Sequence, residues 1–314
     1  MAAGAKPSTA AGYRADVTAA CERTLLTLLG AFGSLKTTLR LVGGLVPRYL
    51  TPEAPPDVPA HAGTSDVDVV LNIQVIAEGD GYVTLADQLA ARGFERYINP
   101  EGTASSWRWQ RKVDEHMCVL VEFLRDAGAD KPGKPVNVDG ERVSALAVKY
   151  AGITHNWFSE REVTGELLDG GGISTEVVRF ADVPAFVILK ALALDDRTEN
   201  KDAADLIHVL RYAGKIEDVA GMFVERELSQ THPGAIASGL NALRRRFCDD
   251  EHSEGYLKVG PVKYATFHYT GDDDVLVRDQ RDASGLVQAL LDHFSIKLED
   301  RLSLLRKTGV RVLT

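Results

Sequence analysis

Apolar residues recur at helical spacing over 14–32 ("RADVTAACERTLLTLLGAF"), which predicts an amphipathic helix ended by Gly33 and Ser34. "TTLRLV" then reads as a short strand running into Gly43-Gly44, and "LVPRYL" as the first turns of a helix that tolerates Pro47. The proline-rich 51–63 is a loop, and "DVDVVLNIQV" (66–75) is a strand. The pattern next predicts a helix over 82–92 and strands at "FERYI", "SSWRWQRKV" and "CVLVEFL". Helix, strand, glycine pair, helix, strand, helix and strands in that order make a mixed sheet carrying helices.

After about residue 125 the pattern changes. Residues 126–140 are polar and rich in glycine and proline, so they form a loop or link. "ERVSALAVKYAGI" fits either element type, and "ELLDGGGISTEVVRF" places a glycine turn between strands. From residue 182 helices dominate: "VPAFVILKALAL", "NKDAADLIHVLRYA", "GAIASGLNALRRRF" and 283–307. The expected fold class is therefore α/β (α+β), with a mixed-sheet lobe over 1–135 and a mainly helical lobe over 136–314.

Length and composition add bounds. A chain of 314 residues is enough for one large domain or two ordinary ones. There is no apolar run of membrane-spanning length, and the first dozen residues lack the apolar core of a signal peptide. They read as a frayed terminus. Three cysteines far apart, with no CxxC pair, point to a reduced, cytoplasmic setting. The net charge of −9 argues against a globally basic nucleic-acid coat but leaves room for a local basic groove.

The chemistry begins at Asp66 and Asp68. Residues i and i+2 of a strand share a face, so the two carboxylates lie side by side and repel. A hard divalent ion such as Mg2+ or Mn2+ relieves this, because it takes oxygen ligands in pairs. A solvated strand end or an N-cap pair is the alternative for an isolated DxD. Glu122, in the apolar "VLVEFL", would complete a three-carboxylate site if its strand lies beside the first. It would otherwise pair with an arginine such as Arg108 or Arg125. Gly43-Gly44 allows close backbone approach to a phosphate, though most such pairs are only turns.

Lys190 sits among Phe186, Val187, Leu189 and Leu192, and a lysine on an apolar helix face needs a partner, which a triphosphate would provide. Arg197, Lys201, Asp202 and Asp205 follow, the last two on one helix face; Lys201 and Asp205 also suit a simple surface pair. Arg244, Arg245 and Arg246 form a basic run, either a solvated face or a phosphate contact.

"LVGG…SDVDVVL…VLVEFL" resembles the nucleotidyltransferase superfamily that includes DNA polymerase beta. The later "K…R…KDAADL", with Lys190, Arg197, Lys201, Asp202, Asp205 and Leu206 in order, is similar to the AbiEii-type nucleotidyltransferases, toxins of type IV toxin–antitoxin systems. The resemblance covers roughly residues 38 to 210. It implies Mg2+-dependent transfer of a nucleotide from an NTP to an acceptor, for some members the tRNA 3′ end, and a cognate antitoxin as possible partner.

On that resemblance Asp66, Asp68 and Glu122 hold metal, and Gly43, Gly44 and Ser65 contact the nucleotide. Lys190, with Arg197 and Lys201, neutralises the leaving pyrophosphate, and Asp202 or Asp205 positions Lys190 or the acceptor. Two features depart from the family: a longer segment between Gly44 and Asp66, and Gly44 where many members carry serine. The alternatives are transfer to a protein or small molecule, which the acidic pI favours, and a non-catalytic nucleotide-binding antitoxin or regulator.

Overall fold

The computed structural model describes residues 6–72, 85–137 and 142–307. The ends of two expected elements, 73–75 and 82–84, and the tail of the expected link, 138–140, lie outside the described residues. The fold is α/β: a mixed sheet comes first and a helical part follows. The chain divides into two compact units, Met1–Asp182 and Val183–Thr314.

In the first unit, α1 (Ala15–Phe32) follows the predicted apolar stripe and buries Leu25, Leu28, Leu29 and Phe32. It stops at Gly33, whose φ of 52° leaves the helical region. Strands β1 (Arg40–Val42), β2 (Asp66–Val70) and β5 (Cys118–Asp126) form the middle of the sheet. β2 runs antiparallel to β1 and parallel to β5. Beyond β5 come β4 (Ala104–Lys112) and β3 (Phe94–Ile98), both antiparallel steps. A short helix α2 (Pro47–Leu50) carries Pro47 in its first turn, and α3 spans Leu85–Ala91.

The odd-numbered residues of β2 and β5 form the floor of the sheet. Val67, Val69, Val121 and Phe123 are fully buried there, and the Phe32 ring of α1 lies 6.0 Å from that of Phe123. Fully burying side chains of this size stabilises by about 1.5–3 kcal/mol each. The even-numbered residues face the other way, and this alternation places Asp66, Asp68 and Glu122 together on one side.

The sheet does not end near residue 135 as expected. β6 (Pro135–Asn137) pairs with β7 (Ser144–Val148), and β7 continues parallel to the end of β5. β8 (Phe158–Glu166) and β9 (Ile173–Ala181) form a long hairpin across the glycine turn, and β9 lies parallel to β1. These strands hydrogen-bond to the central sheet, so the first unit extends to Asp182 and the helical part starts at Val183.

The second unit holds α4 (Val183–Arg197), α5 (Asn200–Tyr212), α6 (Ile216–Ser229), α7 (Ala235–Phe247), α8 (Val259–His268) and α9 (Asp273–Lys307). Ile188, Leu194, Leu206, Val209, Phe223, Leu243 and Leu290 fill its core. Among the described residues no helix is long and apolar enough to cross a membrane.

Candidate metal centre

Asp66 and Asp68 share a face of β2, and the parallel register sets Glu122 directly beside Asp68. Neighbouring strands lie about 4.8 Å apart, so register alone brings the carboxylates together. One oxygen of each of Asp66, Asp68 and Glu122 lies within 4.8 Å of the others. Both readings of Glu122 hold at once: it joins the aspartates, and its Oε1 accepts a hydrogen bond of 2.8 Å from Arg108 Nε.

Burial pushes the Asp68 carboxyl well above the ordinary carboxylate range, and the charges of Asp66 and Glu122 push the same way. Lys6, an ion-pair partner of Asp66, pulls against them. Three carboxylates clustered on one face of the central strands are held only if a proton or a cation compensates them.

The surroundings fit a cation. Gly43 follows β1 with φ +73°, and a methyl group there would lie 1.9 Å from Asp68 Oδ2. The backbone of the Gly-Gly turn therefore presses directly against the carboxylate, as only glycine permits. Thr64 Oγ1 donates to Asp66 Oδ1 at 2.8 Å, and the Thr64 N–H donates to Thr18 Oγ1 of α1 at 3.0 Å. Thr64 thus ties the orientation of Asp66 to the helix beneath. The donor set is all oxygen, which suits Mg2+ or Mn2+ rather than a softer ion.

Gly44 is buried and lines a cavity of about 440 Å³ with Thr18, Glu22, Arg48 and Tyr49. Ser65 is half-buried, one residue ahead of β2. Thr64 and Lys6 are the two contributors that sequence reasoning missed. Thr64 was within reach, as a hydroxyl two residues before Asp66. Lys6 carried no local signal.

The remaining predicted residues form a second cluster, inside the helical unit. Lys190 of α4 pairs with Asp202 Oδ1 at 3.0 Å and with Asp205 Oδ2 at 2.8 Å. Arg197 grips Asp202 through Nε at 2.7 Å and a terminal nitrogen at 2.9 Å, and Lys201 pairs with Asp205. Lys190, expected to need a partner, has two in the buried carboxylates of α5, Asp202 and Asp205. Burial works against the Lys190 charge, but Asp205 and Asp202 outweigh it and hold its pKa above the usual lysine value. Burial likewise opposes the Asp202 charge, yet Lys190 and Arg197 keep its pKa below the ordinary range.

The basic run is also partly spoken for. Arg245 and Arg246 both pair with Asp195 of α4, at 2.5 and 2.8 Å. The reading of the run as a solvated face fits Arg244, which is exposed and donates to Asn241 Oδ1 at 3.2 Å.

No family model matches the sequence, and no curated protein matches it. The crystal structure of JHP933 from Helicobacter pylori aligns with 95% of this chain and 99% of its own, at 11% sequence identity and a TM-score of 0.39. A score of that size does not establish a shared fold.

Proposed function

We propose that the chain is a divalent-metal-dependent nucleotidyltransferase, moving a nucleotide from an NTP to an acceptor hydroxyl. The observation that carries this reading is the convergence of Asp66, Asp68 and Glu122 from two paired strands, with the Gly43 backbone packed against Asp68. Asp66, Asp68 and Glu122 would hold the metal, which when bound supplies charge neutralisation to the reacting phosphate.

The chain's own residues do the positioning. Thr64 sets Asp66, Arg108 sets Glu122, and Gly43 leaves room for close approach at Asp68. In the transfer, a bond forms between the acceptor oxygen and the α-phosphorus. The α–β bridging bond breaks, and pyrophosphate leaves with its electron pair. The hydroxyl proton departs through a carboxylate of the triad. Most of the acceleration in such a reaction comes from positioning and charge stabilisation.

The resemblance in "SDVDVVL" and "KDAADL" supports an RNA acceptor, the tRNA 3′ end, and a growth-inhibiting role in the cytoplasm with an antitoxin partner. A protein or small-molecule acceptor is the second reading, favoured by the net charge of −9. The test uses each α-labelled NTP with Mg2+ and separate tRNA, protein and small-molecule fractions. Label should appear in tRNA with wild type and be lost with Asp68→Asn. Label in another fraction selects the second reading. No transfer to any fraction, from any NTP, rejects both.

A further inference from the structure

The carboxylate site already contains a positive group, and it comes from the far end of the sequence. Lys6 Nζ pairs with Asp66, on the oxygen Oδ2 that Thr64 leaves free of its own hydrogen bond to Oδ1. Its ammonium is thus a monovalent stand-in at the position where the three carboxylates converge.

The segment that delivers Lys6 buries little of itself. Residues 6–14 include no buried position. Within their turn the Gly12 N–H donates to the Thr9 carbonyl and the Tyr13 N–H to that of Ala10. Pro7 packs against Gly12 within the same turn. The folded turn presents Lys6 as a unit, and little apolar burial opposes its withdrawal.

An ammonium and a divalent ion cannot share Asp66 in a site this small. Like charges repel, and both would draw on the carboxylate of Asp66. We propose that Lys6 is an internal occupant of the metal site: it seats on Asp66 when no divalent cation is bound and leaves with its N-terminal turn when one binds. This rests on the triad being a cation site. The consequence is a built-in threshold, because cation affinity is lowered by the fraction of molecules in which Lys6 is seated.

The experiment is a Mn2+ titration of the full chain, followed by electron paramagnetic resonance of the free ion, for wild type, Lys6→Gln, Lys6→Arg and Asp68→Asn. A competitor seated about 90% of the time weakens apparent affinity about tenfold. Lys6→Gln should therefore bind Mn2+ about tenfold more tightly than wild type, and Lys6→Arg should stay close to wild type. A second readout is acylation of Lys6 by an amine-reactive ester at constant ionic strength, read by mass spectrometry. Saturating Mg2+ should raise labelling of Lys6 in wild type and leave Lys263, in α8 of the helical unit, unchanged. If Lys6→Gln binds no tighter than wild type while Asp68→Asn loses binding, the Lys6 proposal fails and the metal site stands. If wild type and Lys6→Gln both fail to bind Mn2+, the metal site fails and takes the proposal with it.

Discussion

At Gly43 one added carbon would meet Asp68 Oδ2 at 1.9 Å, in a backbone conformation at φ +73°. Two costs combine in Gly43→Ala. The left-handed conformation is worth about 1–2 kcal/mol against a side chain, and Asp68 must move out of the triad. Chemical denaturation should show a loss of that order, and Mn2+ titration should show lost binding. The Lys190 cluster makes a different forecast. Three cations meet two buried anions there, so removing an anion unbalances it while removing Lys190 balances it. Asp205→Asn should cost about 3–5 kcal/mol, as for other broken buried pairs, and Lys190→Met markedly less; paired denaturant melts decide the order. Asp202 adds a pH signature. Its folded pKa is depressed, so its contribution is full above the ordinary value of about 4 and fades as pH falls through the folded value. Asp202→Asn should flatten the loss of stability on that acid limb, seen as urea midpoints from about pH 5 down to about pH 2. Much of the triad was legible in the sequence, because a DxD at a strand head and a glutamate in an apolar run each need an explanation. Lys6 was not, since nothing in a small, weakly polar terminus shows which distant carboxylate it will reach.

The elements were legible in proportion to their periodicity. The amphipathic α1 and the strands 94–98, 105–113 and 118–124 appear where the pattern placed them, within a residue or so at each end. α6 and α8 carried no such assignment. α8 opens with Val259-Gly260-Pro261, a turn-like signal that is tolerated because proline suits a first helical turn. β6 and β7 look like link and ambiguous stretch in the sequence, because three- to five-residue strands carry too few positions to show a period; pairing of β7 with β5, and of β6 with β7, decides them. Helix packing offers its own test. A Cβ at Gly239 of α7 would lie 2.7 Å from Ile188 Cγ1 of α4, so these helices meet through the bare glycine. Gly239→Ala should cost about 1–3 kcal/mol by overpacking. Combined with Ile188→Ala, which empties that spot, it should cost less than the sum of the single changes, and a double-mutant cycle measures the difference.

At the scale of the molecule, the division falls at Asp182 and Val183 because β9 must return to pair with β1 before the sheet is complete. Composition changes earlier, in the polar stretch that begins near residue 126, and the boundary expected at 135 falls inside the sheet unit. The charge-bearing motifs follow the true division: the carboxylate triad belongs to the sheet unit and the "KDAADL" cluster to the helical one. All three tryptophans, Trp107, Trp109 and Trp157, are in the sheet unit, and Trp107 stacks under the guanidinium of Arg108, 4.3 Å from its centroid. Arg108 in turn holds Glu122. The protein therefore carries its own optical gauge. Indole emission reports the sheet unit alone, and paramagnetic Mn2+ arriving beside Glu122 should quench Trp107 in wild type but not in Asp68→Asn. A single unlabelled cuvette then reads site occupancy by light.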